Sequence, residues 1–281
     1  YKAKRYFSDR ECIIESIRKK NKSLKNNWKT NILEEVLSKN LNDNLKINNA
    51  IINSREAKKN SIFFGINGKN VDGNKFADQA LKKGASICIV DKKYGKKSKK
   101  KIKVKSSLKT FSECARLIRV SSDVTAIAIT GSSGKTSLKE MLGRHLNKFC
   151  KTTYSLKSYN NKYGVPISLF NIKKKDKFGV FEVGMDKKGE IDYLTKLIKP
   201  DIGVITNISY AHIKNFKNIN GIAKAKSEII KNILDEGSII LNADDKFFKY
   251  LQFKALKKKI KIVSFGKKNK SNIKLEKIKK I

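Results

Sequence analysis

The sequence predicts an α/β protein, with a small N-terminal α/β domain followed by a central, mostly parallel sheet that carries a glycine loop. Three observations lead there. Val124 to Ser137 reads VTAIAITGSSGKTS, a β-branched apolar run, a short glycine turn and then a helical pattern. Strand-like and helix-like stretches alternate on both sides of that segment, the pattern of a parallel sheet covered on both faces. The 281 residues, 39% of them hydrophobic, suit two domains with cores of their own. The predicted division is a basic extension over 1–25, an N-terminal domain over 26–121 and a central domain over 122–281.

Taken in order, residues 1 to about 48 are polar and rich in Lys and Asn, with helices expected at Ser8–Arg18 and Asn31–Leu37. Ala50–Ile52, Ser61–Ile66 and Ser86–Val90 read as strands, and Phe76–Lys83 and Ser107–Val120 as helices. The central domain opens near Ser122. Its helix after the glycine turn has Leu138, Met141, Leu142, Leu146 and Phe149 at helical spacing. Strands follow at Lys151–Tyr154, Phe178–Phe181, Ile202–Ile205, Ser238–Leu241 and Lys261–Phe265, with helices at Val165–Phe170, Ile191–Ile198 and Gly221–Leu234. In such sheets ligands bind beyond the carboxyl ends of strands. The glycine turn, Glu182, Asn207 and Asn242 all fall at such ends, and His212 follows one closely.

The turn itself has the chemistry of a phosphate cradle. Glycines let the backbone of the turn, Gly131-Ser132-Ser133-Gly134, fold tightly enough for its N–H groups to face an anion. The helix start adds partial positive charge, Lys135 reaches outer phosphates and the Thr136 hydroxyl suits magnesium. The general P-loop has a glycine five positions before Gly134, where this chain has Ile129, so the loop is shorter than that pattern. The competing reading is a glycine turn beside a chance lysine.

Other residues carry paired readings. Glu182 closes an apolar strand and either faces Thr136 to share magnesium, which prefers oxygen ligands, or is an ordinary strand-end acid. His212 lies past a strand end, where an imidazole ligates metal, orients a phosphate or plays a structural part. His145, in the loop helix, reads as structural. At 100° per residue Ile222, Ala225, Ile229, Ile230 and Ile233 form one arc, with Lys226 inside it and Lys224 and Lys231 opposite. A lysine there is paired, deprotonated or modified, for example carbamylated, or it snorkels to the edge. Ser54-Arg55, beside a loop with Gly65, Gly68 and Gly73, either holds a diphosphate or forms a surface turn.

Composition bounds the alternatives. The formal net charge is +40, which raises nucleic-acid binding as a rival function. The lysines are spread along the whole chain, however, and no aromatics interleave with the basic runs at Lys96–Lys101 and Lys173–Lys177. A solvated basic surface that attracts anionic substrates accounts for them, and no nucleic acid is expected as partner. No stretch approaches eighteen consecutive apolar residues, so no membrane insertion is expected. Cys12, Cys88, Cys114 and Cys150 are far apart and contain no CxxC, which fits buried free thiols in a reducing compartment. The start at Tyr1, without a secretory pattern, reads as a fragment or a processed product.

As a set, these stretches resemble the Mur ligases, ATP-dependent enzymes that extend the peptide of the bacterial cell-wall precursor. TGSSGKTS, Asn160-Asn161-Lys-Tyr-Gly-Val-Pro, Phe-Glu182-Val-Gly-Met, Thr-Asn207-Ile-Ser-Tyr-Ala-His212, Ala-Lys226-Ser-Glu and Asn242-Ala-Asp-Asp stand in family order and spacing, covering about Ala50 to Phe265. The Asn-Asn run, Ala before His212, Ala-Lys-Ser-Glu and Ser54-Arg55 with Phe63-Phe64 and Gly68…Asp72-Gly73 are similar to the branch that adds D-alanyl-D-alanine. Thr136 after the loop lysine sets the chain apart from folylpolyglutamate synthases, which share the fold but usually have Gly-Ser there.

The resemblance implies roles. Lys135 and the Gly131–Ser137 backbone would hold the ATP phosphates, and Thr136 and Glu182 a first Mg2+. His212 and carbamylated Lys226 would serve a second. Asn161 would position phosphate or metal-bound water, Asn242 would contact adenine, and Ser54 and Arg55 would hold the UDP end of a UDP-linked muramoyl peptide. The implied product is the amide of that peptide with D-alanyl-D-alanine, made by a cytoplasmic, monomeric enzyme. A different P-loop amide ligase or kinase would share the nucleotide site and differ in acceptor.

Two departures from the family are expected to matter. Family members carry a C-terminal domain that would begin where this chain stops, at Ile281, so this chain alone is expected not to complete ligation. Residues 1 to about 20 differ from the usual start. Phe7-Ser8-Asp9-Arg10-Glu11 is similar to the tail of the diaminopimelate-adding relative, as in a fusion of the two enzymes.

Overall fold

The structure is a computed structural model, and it describes residues 28–42, 44–94, 98–210, 215–216, 218–267 and 271–276. The expected helix at Ser8–Arg18, the tail resemblance, Cys12 and His212 lie outside the described residues. The described residues fall into two compact units. One runs to Ser122 and includes Leu169–Asn171; the other comprises Asp123–Ser168 and the chain from Ile172 onward.

The first unit has helix α1 (Trp28–Leu37), strands β1 (Asn49–Ile51) and β2 (Ser61–Phe64), helix α2 (Ala77–Lys82), strands β3 (Ile87–Asp91) and β4 (Lys101–Val104), and helix α3 (Ser107–Val120). Its sheet has the order β1-β2-β3-β4, parallel throughout. Alternation along β2 splits the core between the two faces of the sheet. Phe63 packs with Ala77, Ala80, Cys88 and Val90, and Phe64 stacks on Phe111 of α3 with ring centroids 4.5 Å apart. Ser106 caps α3 by accepting from Lys109 N–H.

Strand β4 is absent from the sequence reading, which takes Lys96–Lys101 as a basic run. At a sheet edge one face is enough: Ile102 is buried between Lys101 and Lys103, and Lys101 pairs with Asp78 at 2.5 Å. The expected helix at Phe76–Lys83 begins instead as a 3-10 turn over Gly73–Phe76, because Asp72 accepts from Asn74 N–H and tightens the entry.

The second unit has strand β5 (Thr125–Thr130), helix α4 (Lys135–Phe149), strand β6 (Thr152–Tyr154), helix α5 (Gly164–Phe170, of which Gly164–Ser168 belong to this unit), strand β7 (Phe178–Glu182), helix α6 (Glu190–Ile198), strand β8 (Ile202–Ile205), helices α7 (Ile219–Lys226) and α8 (Glu228–Lys231), strand β9 (Ser238–Asn242), helix α9 (Phe248–Lys258) and strands β10 (Lys261–Gly266) and β11 (Ile273–Lys274). The sheet order is β11-β10-β9-β8-β5-β7-β6, all parallel. β5 is therefore central, with β7 and β8 as its neighbours. Ala126, Ala128 and Ile129 are fully buried, as expected of a strand covered on both faces. Leu138, Leu142 and Leu146 of α4 pack on Ile127, Ile129, Val180 and Val204.

Two expectations for this unit need correcting. Met141 and Phe149 are 62% and 76% exposed, so the apolar stripe that α4 packs on the sheet is the narrower, half-buried row at 138, 142 and 146. The helix expected over 221–234 is two helices, since Ser227 closes α7 with its hydroxyl on Lys224 O at 2.7 Å. Helix α9 goes unread because only Leu251 and Ala255 of its lysine-rich run are buried.

Candidate nucleotide site at the glycine turn

β5 delivers Thr130 to the carboxyl edge of the sheet, and Gly131 and Gly134 then hold φ of +152° and +79°. The two glycines are needed for different reasons. A Cβ on Gly131 would overlap Thr206 Oγ1 at the end of β8, whereas one on Gly134 would meet nothing within 4 Å. The second glycine thus turns the chain and leaves open space over the start of α4.

Leu138 N–H makes the first intrahelical bond, to Gly134 O at 3.0 Å. The N–H groups of Lys135, Thr136 and Ser137 precede it and form the donor end of a fifteen-residue helix. Lys135 Nζ folds back on Gly131 O at 3.0 Å.

The turn is braced from β8. Ser132 N–H donates to Asn207 O at 2.9 Å and Ser133 N–H to Asn207 Oδ1 at 3.0 Å. Asn207 Nδ2 donates to Ser133 Oγ at 2.8 Å, and Thr206 Oγ1 to Ser133 O at 2.6 Å. Ser132 Oγ bonds both Ser209 O and Ser209 N–H. Asp245 holds the same segment by accepting from Ile208 N–H at 2.6 Å.

Parallel pairing sets Ile129 opposite Glu182, which brings this acid to the turn. Glu182 is 1% exposed. Thr136 Oγ1 donates to its Oε2 at 2.8 Å, and Asn160 Nδ2 to its Oε1 at 2.8 Å. A buried carboxylate bonded to the hydroxyl that follows the loop lysine is a hard-oxygen pair of the kind magnesium takes. Among the described residues no group of three or more His, Cys, Asp and Glu gathers as a metal site.

Lys226 ends α7 and is 2% exposed. Among the described residues its amine has no hydrogen-bond or ion-pair partner. Burial pushes its pKa down from 10.5 to about 7, and the charge of Lys135 adds to the shift.

The other candidates sit as follows. Asn161 Oδ1 caps α5 by accepting from Tyr163 and Gly164 N–H, both at 3.0 Å, while its neighbour Asn160 contacts Glu182. Asn242 ends β9, accepts from Asp244 N–H and reaches Thr206 O at 3.5 Å. In the first unit, Ser54 is buried and donates to Gln79 Oε1 at 2.6 Å, while Arg55 is exposed. Gly65 and Gly73 serve close backbone approach: a Cβ on Gly73 would sit 2.7 Å from Ile66 O. His145 is exposed and stacks edge-on with Phe149. Asn160, Thr206 and Asp245 carry no assigned role in the sequence reading. Nothing in a single sequence shows that β8, seventy residues on, lies beside β5.

A central parallel strand, a short glycine turn and a strand-end acid on the adjoining threonine are the parts of an α/β protein with a candidate nucleotide-phosphate site. The match to known families narrows this class. Residues 129–280 match the Mur ligase middle domain and residues 46–119 the Mur ligase family catalytic domain, and the chain belongs to the Mur ligase family.

It is 34% identical over 230 residues to the UDP-N-acetylmuramoyl-tripeptide–D-alanyl-D-alanine ligase of Buchnera aphidicola, covering 82% of this chain and 50% of that one. The Haemophilus influenzae protein of the same name is 32% identical over 206 residues, 72% of this chain and 45% of that one. Among solved structures, MurF from Acinetobacter baumannii superposes with a TM-score of 0.75 at 29% identity, covering 85% of this chain and 53% of that one. MurF ligase from Thermotoga maritima in complex with ADP gives 0.69 at 29%, covering 80% and 52%. The chain thus spans about half the length of the relatives it matches. Among the described residues no helix is long and apolar enough to cross a membrane.

Proposed function

We propose that this chain is the nucleotide-binding and UDP-substrate-binding part of an ATP-dependent carboxylate–amine ligase. The enzyme would join D-alanyl-D-alanine to UDP-N-acetylmuramoyl-tripeptide in peptidoglycan precursor synthesis. The reading also makes it a cytoplasmic monomer, with its domains divided at 26–121 and 122–281. The observation that carries it is the contact of Thr136 with Glu182 directly after the glycine turn. The named relatives supply the reaction.

A carboxylate resists amine attack because its oxygen leaves badly. Phosphorylation by ATP converts it to an acyl phosphate and releases ADP; the dipeptide amine then attacks the acyl carbon, forms the amide, loses a proton and expels inorganic phosphate. In this chain the first-turn N–H groups of α4 and Lys135 hold the phosphates and offset charge that builds up during transfer. Lys135 gives up its bond to Gly131 O to do so. Bound magnesium supplies charge neutralisation across the phosphate oxygens. Thr136 and Glu182 would hold one ion, with Asn160 fixing the second carboxylate oxygen. His212 and Lys226 are assigned to a second ion.

Lys226 suits carbamylation, because an unprotonated amine adds to carbon dioxide, loses a proton and becomes a carboxylate. Its burial and depressed pKa supply that amine near neutral pH. Asn161 is assigned to phosphate or metal-bound water through its amide N–H groups, Asn242 to adenine, and Ser54 and Arg55 to the UDP end. For Ser54, which is bonded to Gln79, the part is to fix the turn that presents Arg55.

Calorimetry on the chain tests the reading. A non-hydrolysable ATP analogue is expected to bind more tightly with Mg2+ than without. UDP-N-acetylmuramoyl-tripeptide is expected to bind and to lose affinity in Arg55→Ala. Salt-steep binding of DNA or RNA, with neither ligand bound, would overturn it in favour of the nucleic-acid rival.

A further inference from the structure

Lys139 lies one turn into α4, four residues beyond Lys135, and has no exposed surface. A lysine wholly inside a domain is costly unless each ammonium N–H finds an acceptor. Here there are three: Glu140 Oε1 at 2.6 Å, Ser155 O at 2.8 Å and Lys157 O at 2.8 Å. Two of them are main-chain carbonyls of the turn that follows β6. Lys157 holds φ of +49°, a conformation that non-glycine residues adopt at a cost, so this turn is held rather than merely tolerated.

The same turn leads to the acid. Tyr159 N–H bonds Leu156 O at 3.1 Å and Asn160 N–H bonds Ser158 O at 2.8 Å, so the segment is compact through to Asn160. Asn160 then holds Glu182 Oε1, and Glu182 Oε2 accepts from Thr136. Two more bonds close the circuit: Glu182 N–H to Ser155 Oγ at 3.4 Å and Gly184 N–H to Asn160 O at 2.8 Å. A Cβ on Gly184 would press within 2.8 Å of Asn160 Cγ, so the strand exit is shaped around this side chain. Glu182 is thus reached from Lys139 along two hydrogen-bonded routes, one through Ser155 and one through Asn160.

We propose that Lys139 is a positioning residue, pinning the Ser155–Lys157 turn to α4 so that Asn160 holds Glu182 against Thr136. The inference rests on the proposed nucleotide site, since it concerns how that site's acid is aimed. Loss of the three bonds would free the turn and let Glu182 leave Thr136. The α4 amides and Lys135 would still meet the phosphates. The metal-dependent part of nucleotide affinity should therefore fall while the metal-independent part stays.

The test is titration of the chain with a non-hydrolysable ATP analogue, with and without Mg2+, in wild type, Lys139→Met and Lys139→Arg. In Lys139→Met the affinity gained from Mg2+ is expected to shrink about tenfold, the scale of one charge-assisted hydrogen bond. Affinity without Mg2+ is expected to stay within about twofold, a change worth less than a typical hydrogen bond. A purely structural lysine would lower both affinities together, in step with the melting temperature. Lys139→Arg keeps a cation and guards against failure of the methionine variant to fold. Its planar head cannot meet all three acceptors at the same points, so a reduced Mg2+ gain is expected there too.

A folded Lys139→Met or Lys139→Arg that keeps the full Mg2+ gain overturns the inference and leaves the nucleotide site standing. A wild-type chain that binds the analogue no better with Mg2+ removes the site and the inference together.

Discussion

Gly131→Ala and Gly134→Ala separate the two reasons this tight turn needs glycine. Both positions hold positive φ, at +152° and +79°, but only Gly131 also faces a side chain, Thr206 Oγ1. Forcing alanine into such backbone costs about 1–3 kcal/mol, with the left-handed value at Gly134 near the low end. At Gly131 the new methyl must also displace Thr206 and break its 2.6 Å bond to Ser133 O, adding about 1 kcal/mol. The expected losses are about 3 kcal/mol for Gly131→Ala and about 1 kcal/mol for Gly134→Ala. For a cooperative unit of this size each kcal/mol lowers Tm by about 2–4 °C. Thermal unfolding by circular dichroism should therefore show drops of about 9 °C and about 3 °C.

Thr206→Ala tests the mechanism, because it removes the atom that Gly131→Ala strikes. The double variant Gly131→Ala/Thr206→Ala is expected to be no less stable than Gly131→Ala alone, which gives a coupling term rather than a sum. Strictly additive losses, or a Gly131→Ala protein as stable as Gly134→Ala, would refute the argument from close approach.

Three further outcomes follow from the same coordinates. Gly143→Ala should cost about 1–3 kcal/mol by overpacking, since a Cβ there lies 2.5 Å from the Tyr154 ring; an unchanged Tm would contradict this packing. With its amine unmodified, Lys226 has a folded pKa of about 7 against an ordinary 10.5, so above pH 7 the unfolded chain binds more protons than the folded one. Wild-type Tm should then gain more between pH 7 and pH 9 than that of Lys226→Met, and equal slopes would contradict the burial cost. Among the described cysteines, Cys88 is buried with its thiol pKa pushed up to about 12, and Cys114 is raised further by full burial. Alkylation followed by mass spectrometry should modify the partly exposed Cys150 well before either, and the reverse order would contradict the packing.

Much of the central domain was legible because its strands are short apolar runs bounded by turn residues. Ile202–Ile205 and, in the first unit, the helix Ser107–Val120 have the expected limits, and β7, β9 and β10 each run one residue past the expected end. Two of the elements that went unread have one-sided burial masked by lysine. Strand β4 shows one buried isoleucine between lysines, and α9 buries two residues in eleven. At the site, the glycine turn, Glu182 and the inward-facing Lys226 were legible from strand ends and helical spacing.

Spatial neighbours set by strand order were not legible. Asn207 and Thr206 brace the turn because β8 lies beside β5, a fact of topology. Asn160 and Asn161 are adjacent in sequence, yet one contacts Glu182 and the other caps α5, a choice the local backbone makes. Lys139 looks like any surface lysine until Ser155 and Lys157 fold over it.

If the turn at 131–136 receives the phosphates of a nucleotide with Glu182 alongside, its backbone amide NMR shifts will report it during titration with a non-hydrolysable ATP analogue and Mg2+. The Gly134, Lys135 and Thr136 amides are expected to move together along one saturable curve, and Glu182→Gln is expected to remove the Mg2+-dependent part of the movement. Saturable binding that leaves these three amides unmoved would contradict it.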